Sequence, residues 1–155
     1  MELSNILEKG SIIACAKVAS KRQLLQELAK LAANDIGVPE QKVFDSLMAR
    51  EQLGSTGLGN GIAIPHGKLD GITSVRAVFA RLENAIDFDA VDEQPIDLAI
   101  MLLAPTGSGA DHLKALAKVA RLLRSEKIIT LLRETRDIDK LHDILISQPE
   151  DVNVA

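Results

Sequence analysis

The sequence has no tryptophan and no tyrosine, and three phenylalanines are its only aromatic residues. Proteins that bind single-stranded nucleic acid stack bases on aromatic side chains, so no such platform is expected. Positive charge is not in excess either: 18 Lys and Arg stand against 22 Asp and Glu, a net charge of −4. Nucleic-acid affinity rests largely on basic stripes that neutralise phosphates, so nucleic acid is not an expected partner. A single cysteine, Cys15, excludes an internal disulfide, and no CxxC pair accompanies it. It lies in the apolar run "SIIACAKVA" and is expected as a small buried residue. No apolar run approaches the roughly 18 residues that a membrane span needs. The opening "MELSNILEKG" lacks the basic region and long apolar stretch of a secretory signal. The expected location is therefore the cytoplasm, without membrane insertion.

What is present suits a globular α/β protein. The 155 residues, 46% of them hydrophobic, are expected to form a single domain over 1–155, with 148–155 a loose tail. "SIIACAKV" is β-branched and apolar and reads as a strand. Residues 20–37 place Leu24, Leu28 and Leu31 at helical spacing, with Ser20 as cap and Gly37 as stop. A second helix begins at Pro39 and ends at Gly54, with Val43, Phe44, Leu47 and Met48 as its apolar face. "GSTGLGNG", residues 54–61, is expected as a loop and "IAI" as a short strand stopped by Pro65. "SVRAVFARL" alternates as a half-buried strand does, and the continuous run 96–105 fits a central strand covered on both faces. Three helical segments follow, over 111–125, 126–134 and 137–147. Strands in the middle and helices at both ends predict a mixed β-sheet sandwiched between helical layers.

The chemistry concentrates in "GLGNGIAIPHGKL", residues 57–69. It is not a P-loop, because five residues rather than four separate Gly61 from Gly67, and Leu69 stands where a hydroxyl is needed. The dinucleotide pattern fails as well, since the third glycine comes one position early. The histidines, His66, His112 and His142, form no close pair, and no zinc spacing appears, so no metal is expected. Neither Ser55 nor Ser108 lies in a nucleophile elbow. His66 itself remains as the reactive group. A neutral imidazole is a good nucleophile near pH 7, and attack on a phosphoryl group would give a phosphohistidine. Glycines let backbone N–H groups approach an anion. Pro65 keeps Ile64 extended, and Gly67 is expected to leave the far side of the ring uncrowded.

"REQLGSTGLGNGIAIPHGKL", residues 50–69, resembles the active-site segment of enzyme IIA of the bacterial phosphotransferase system, type 2, the fructose/mannitol class. The strand "IDLAIMLLAP" and the helix "DHLKALAKVARLL" fall in the same order. With no IIB or IIC segment attached, the chain is most similar to the nitrogen-regulatory branch. The resemblance implies a mixed sheet between helices and a phosphoenolpyruvate-dependent relay. In that relay a histidine phosphocarrier protein donates its phosphoryl group to the histidine matching His66. A second histidine near the site matches His112, and an arginine before the loop matches Arg50. His112, opening a helix, is suited to remain neutral and donate one N–H. Arg50 continues the Val43–Leu47 stripe and would hold phosphoryl oxygens, complement the helix dipole, or do both at once.

Ser55, Thr56, Gly59, Gly61 and Gly67 are candidate phosphoryl-binding residues. Lys68 would serve the phosphate or be exposed, and His142 is expected as a solvated helix residue. Transfer between imidazoles needs positioning and charge neutralisation but no cofactor. The implied partners are the phosphocarrier and either downstream regulatory targets or a separate IIB. A sugar-transport IIA that feeds such a IIB is the alternative within the family. A nucleotide-sensing module is the alternative outside it. The surface around His66 is expected to be apolar with a charged rim.

Overall fold

The structure is a computed structural model and describes residues 2–147; the expected loose tail, 148–155, lies outside them. A helical turn, α1 (Leu3–Ile6), and a 3-10 turn (Lys9–Ser11) lead into β1 (Ile12–Ala16). Then come α2 (Lys21–Ile36) and α3 (Glu40–Gln52). Three short strands follow, β2 (Gly57–Gly59), β3 (Ile62–Ala63) and β4 (His66–Leu69), and then the long β5 (Arg76–Ile86) and β6 (Ile96–Pro105). α4 (Gly109–Leu122), α5 (Glu126–Glu134) and α6 (Ile138–Ile146) complete the described residues.

The helices start and stop where their sequences dictate. Ser20 caps α2 by accepting the Gln23 N–H, and Gly37 ends it in the left-handed conformation, φ 79°, with its N–H on the Ala33 carbonyl. Ser125 and Asp137 cap α5 and α6 in the same manner.

The sheet is mixed, in the order β1-β5-β6-β3-β2, with β4 also on β6. β1 runs parallel to β5, β5 antiparallel to β6, and β3 and β4 both parallel to β6. Alternation along β6 divides its side chains between two cores. Ala99, Met101 and Leu103 pack with Leu24, Leu28 and Leu47 of α2 and α3. Leu98, Ile100 and Leu102 pack with Val119, Leu132 and Leu141 of α4, α5 and α6. A strand buried on both faces reads as a continuous apolar run, which is why 96–105 was legible. Each fully buried Leu or Ile contributes about 1.5–3 kcal/mol by leaving water.

Four expectations need correction. The glycine-rich segment is not all loop: Gly57–Gly59 pairs antiparallel with β3. Pro65 does not stop the strand. Ile62 faces Leu98 and His66 faces Leu102, so β3 and β4 continue one register across a residue that has no N–H to donate. The Pro65 carbonyl still accepts the Leu102 N–H at 2.9 Å. Cys15 is exposed rather than buried, because the pairing of edge strand β1 with β5 shifts register between Ile13 and Ala16, which seats Ala16 in the core under α2 and α3 and leaves Cys15 outside. His142 is half-buried rather than solvated, and one ring nitrogen lies 3.0 Å from the Leu7 carbonyl.

Candidate active site

β4 delivers His66 to the edge of a hollow of about 580 Å³, lined by Ser46, Ala49, Arg50 and Leu53 of the α3 region and by His112, Leu113 and Leu116 of α4. The period-2 alternation of β4 decides which way His66 points. Leu69 enters the core under α2 and α3, so Gly67 shares that face, and His66 and Lys68 take the other. Gly67 is required by a close approach. A Cβ there would collide with the Ser46 hydroxyl and lie 3.3 Å from the Ser46 carbonyl carbon. That hydroxyl donates to the Lys68 carbonyl at 2.9 Å and seats α3 on β4. Gly67 thus makes room for a helix, which corrects the expectation that it clears space beside the imidazole.

Both ring nitrogens of His66 are engaged. Nδ1 lies 2.8 Å from the Ile64 carbonyl, which can only accept, so Nδ1 carries the hydrogen. The Arg50 Nε donates to Nε2 at 3.1 Å, so Nε2 presents its lone pair. The two contacts together select the neutral Nδ1–H tautomer. Burial lowers the pKa of His66 below the ordinary histidine value, and the Arg50 guanidinium lowers it further. The Ile64 carbonyl and the Glu51 carboxylate act in the opposite direction. Arg50 is itself tethered, with Nη1 donating to the Gly54 carbonyl at 2.8 Å.

His112 stands edge-on to His66, ring centroids 5.4 Å apart. It sits in the first turn of α4 and is only 6% exposed, so it is not a partly exposed surface residue. Its Nε2 is buried and meets no hydrogen-bond partner among the described residues. Burial, followed by His66 and Lys68, holds its pKa below the ordinary value. Two adjacent imidazoles kept neutral leave nucleophilic and hydrogen-bonding capacity available near pH 7.

The other candidates divide. Ser55 and Thr56 line a second hollow of about 230 Å³ that also reaches Arg50 and His66. Their hydroxyls are engaged elsewhere: Ser55 donates to the Phe88 carbonyl at 2.9 Å, and Thr56 donates to Glu51. Gly59 and Gly61 are not brought to His66. Gly59 faces Asp92, and Gly61 lies against Asp97 and Arg133, where a side chain would strike the Arg133 guanidinium. Lys68 is exposed on the rim. Leu53 and Leu113 stand open beside the hollow, 84% and 68% exposed, and Leu58 borders the second one.

Glu51 was not anticipated. It is buried and tied to Thr56 and to Lys21. The signal was available, since it stands four residues after Leu47 and eight after Val43 on a stripe that is otherwise apolar. Among the described residues no three His, Cys, Asp or Glu side chains converge as metal ligands, and no helix is long and apolar enough to cross a membrane.

Comparison with known proteins identifies the class. The family model "Phosphoenolpyruvate-dependent sugar phosphotransferase system, EIIA 2" matches residues 5–148. A "Nitrogen regulatory protein" of Bradyrhizobium diazoefficiens is 48% identical over 149 residues, covering 96% of this chain and 97% of the relative. The crystal structure of nitrogen regulatory protein IIA-Ntr from Neisseria meningitidis superposes with a TM-score of 0.88 at 34% identity, covering 92% of this chain and 98% of that one. The mannitol IIA of Escherichia coli, solved in complex with phosphorylated IIB, shares the fold with a TM-score of 0.77 at 21% identity, covering 90% and 98%. The chain belongs to the type 2 enzyme IIA family of the phosphotransferase system, and within it is most similar to the nitrogen regulatory proteins. Membership supports a phosphoryl-carrier or regulatory role.

Proposed function

We propose that His66 accepts a phosphoryl group on Nε2 from a histidine phosphocarrier protein, itself charged from phosphoenolpyruvate, and that the phosphorylation state signals to downstream protein targets. The observation that carries this reading is the pair of contacts on the ring: Nδ1–H on the Ile64 carbonyl and the Nε2 lone pair facing Arg50 at the hollow. In the transfer, a bond forms between Nε2 and phosphorus. The bond from phosphorus to the donor imidazole breaks, and its electron pair returns to the donor nitrogen. Positive charge developing on the His66 ring is stabilised by the Nδ1–H bond to Ile64.

Arg50 must release Nε2 for this to happen. Its Nη1 tether to Gly54 keeps the guanidinium within reach, where charge-assisted bonds to phosphoryl oxygens replace the bond it gives up. The unpartnered Nε2 of His112 supplies a further donor when it bears the hydrogen. Exposed Leu53 and Leu113 suit the apolar ring on which a phosphocarrier would press its own histidine.

The test is incubation with a histidine phosphocarrier, its phosphorylating enzyme and phosphoenolpyruvate, followed by mapping of the modified residue. The expected product is one acid-labile, alkali-stable modification on His66, lost in His66→Ala. Label on His112 or His142 in that variant would overturn the assignment. Onward transfer to a purified IIB would instead place the protein in sugar transport.

A further inference from the structure

Glu51 is a buried carboxylate that the proposed phosphoryl chemistry leaves unused. Its side chain is 2% exposed, and three donors converge on it. They are Lys21 Nζ from α2 at 2.9 Å, the Thr56 backbone N–H at 3.0 Å, and the Thr56 hydroxyl. A carboxylate is costly to bury unless it is both paired and hydrogen-bonded, and this one is both. The connection continues past Thr56. The Thr56 carbonyl accepts the Ile64 N–H at 3.0 Å, and the Ile64 carbonyl accepts the Nδ1–H of His66 at 2.8 Å.

Ile64 depends on that bond. It sits between β3 and β4, next to a proline with no N–H, so Thr56 is what holds its peptide from the β2 side. Arg50, one residue before Glu51, reaches the other ring nitrogen and the Gly54 carbonyl. Two consecutive residues in the last turn of α3 therefore grip the segment 54–56, and each leads to one nitrogen of the same imidazole.

We propose that Glu51 is a positioning residue for His66: with Lys21 it locks Thr56, and through Thr56 and Ile64 it keeps the imidazole in the Nδ1–H tautomer, with the lone pair on Nε2. This rests on the proposed role of His66. The neutral ring has two tautomers, and the one with hydrogen on Nε2 has no lone pair there to offer phosphorus. If the Ile64 carbonyl drifts, that unreactive tautomer gains population.

The test uses the full chain labelled with ¹⁵N-histidine, whose ring-nitrogen shifts report the tautomer directly. Lys21→Met/Glu51→Leu removes the acceptors of Thr56 and leaves no unpaired buried ion, an exchange that folded proteins often tolerate. The expected result is a cooperative melt, a mixture of His66 tautomers in place of one, and phosphoryl acceptance slowed about tenfold, the worth of one lost hydrogen bond at the reacting ring. Thr56→Val, which removes only the hydroxyl, is expected to shift the tautomer in the same direction by less. A pair that served only stability would leave the tautomer of a folded variant unchanged. A single Nδ1–H tautomer in the folded double variant overturns the proposal. If that variant does not fold, a wild-type tautomer in Thr56→Val overturns it. The ring shifts need no phosphate donor, so failure of the wild-type chain to accept phosphate would count against the role assigned to His66 and not against the lock.

Discussion

At the scale of single residues, the site turns on what each side chain can donate. Arg50 is the sharpest case, because its Nε and Nη1 serve two acceptors, His66 and the Gly54 carbonyl, in one plane. A lysine keeps the charge but not the fork. Arg50→Lys is expected to melt close to wild type and to accept phosphate at least tenfold more slowly, an effect of about 1.4 kcal/mol. A thermal melt and a transfer time course on one sample check both. His112→Ala is expected still to accept phosphate, but with slower transfer or faster loss of the product, because a hydrogen bond to a charged group is worth about 1.5–3 kcal/mol. Wild-type rates in both directions would remove His112 from the site. The pH dependence follows from burial. The pKa of His66 in the folded chain lies below the ordinary value. Its contribution to stability is therefore complete above about pH 6.5 and is lost as pH falls through the lowered folded value. Denaturant midpoints should fall less steeply below pH 6.5 in His66→Gln than in wild type. The acid limb of phosphoryl acceptance should lie below pH 6.5 for the same reason.

At the scale of elements, legibility follows periodicity. β6 was readable to the residue because both its faces are buried, and α2 because a serine cap and a left-handed glycine bound it. β2 was not, since three residues with two glycines carry no alternation, and its pairing depends on partners distant in the chain. The continuation through Pro65 was hidden for a related reason, because proline reads as a stop unless the neighbouring register is known. His66 was picked out from its loop, and His112 and Arg50 by the family resemblance; the three side chains converge. Gly59 and Gly61 were grouped with them only by nearness in sequence, and the hairpin turns them toward Asp92 and Arg133. Glu51 escaped because a charge among apolar neighbours reads as surface unless its stripe position is weighed. The seat of α3 on β4 gives a prediction at this scale. Gly67→Ala should destabilise by about 1–3 kcal/mol as the added methyl meets Ser46. Adding Ser46→Ala, which removes the colliding hydroxyl, should recover part of that loss in denaturant melts.

At the scale of the molecule, the sheet is a partition with one core on each side, and the site lies where the partition ends. The open leucines beside it come from both sides: Leu53 follows α3, and Leu113 belongs to α4. Leu53→Ser/Leu113→Ser should leave the melting temperature within a few degrees of wild type, because exposed positions contribute little to stability. The same variant should raise the phosphocarrier concentration needed for half-maximal transfer severalfold. An unchanged concentration dependence would mean that the partner docks elsewhere. Arg50 and His112 reach His66 from helices that belong to different cores. The imidazole is thus held between the jaws of a caliper whose opening is the thickness of the packed layers. A core substitution far from the hollow that thickens one layer would reset the gap between guanidinium and imidazole without touching either. Sensitivity to mutation should then be graded by layer rather than by distance from His66.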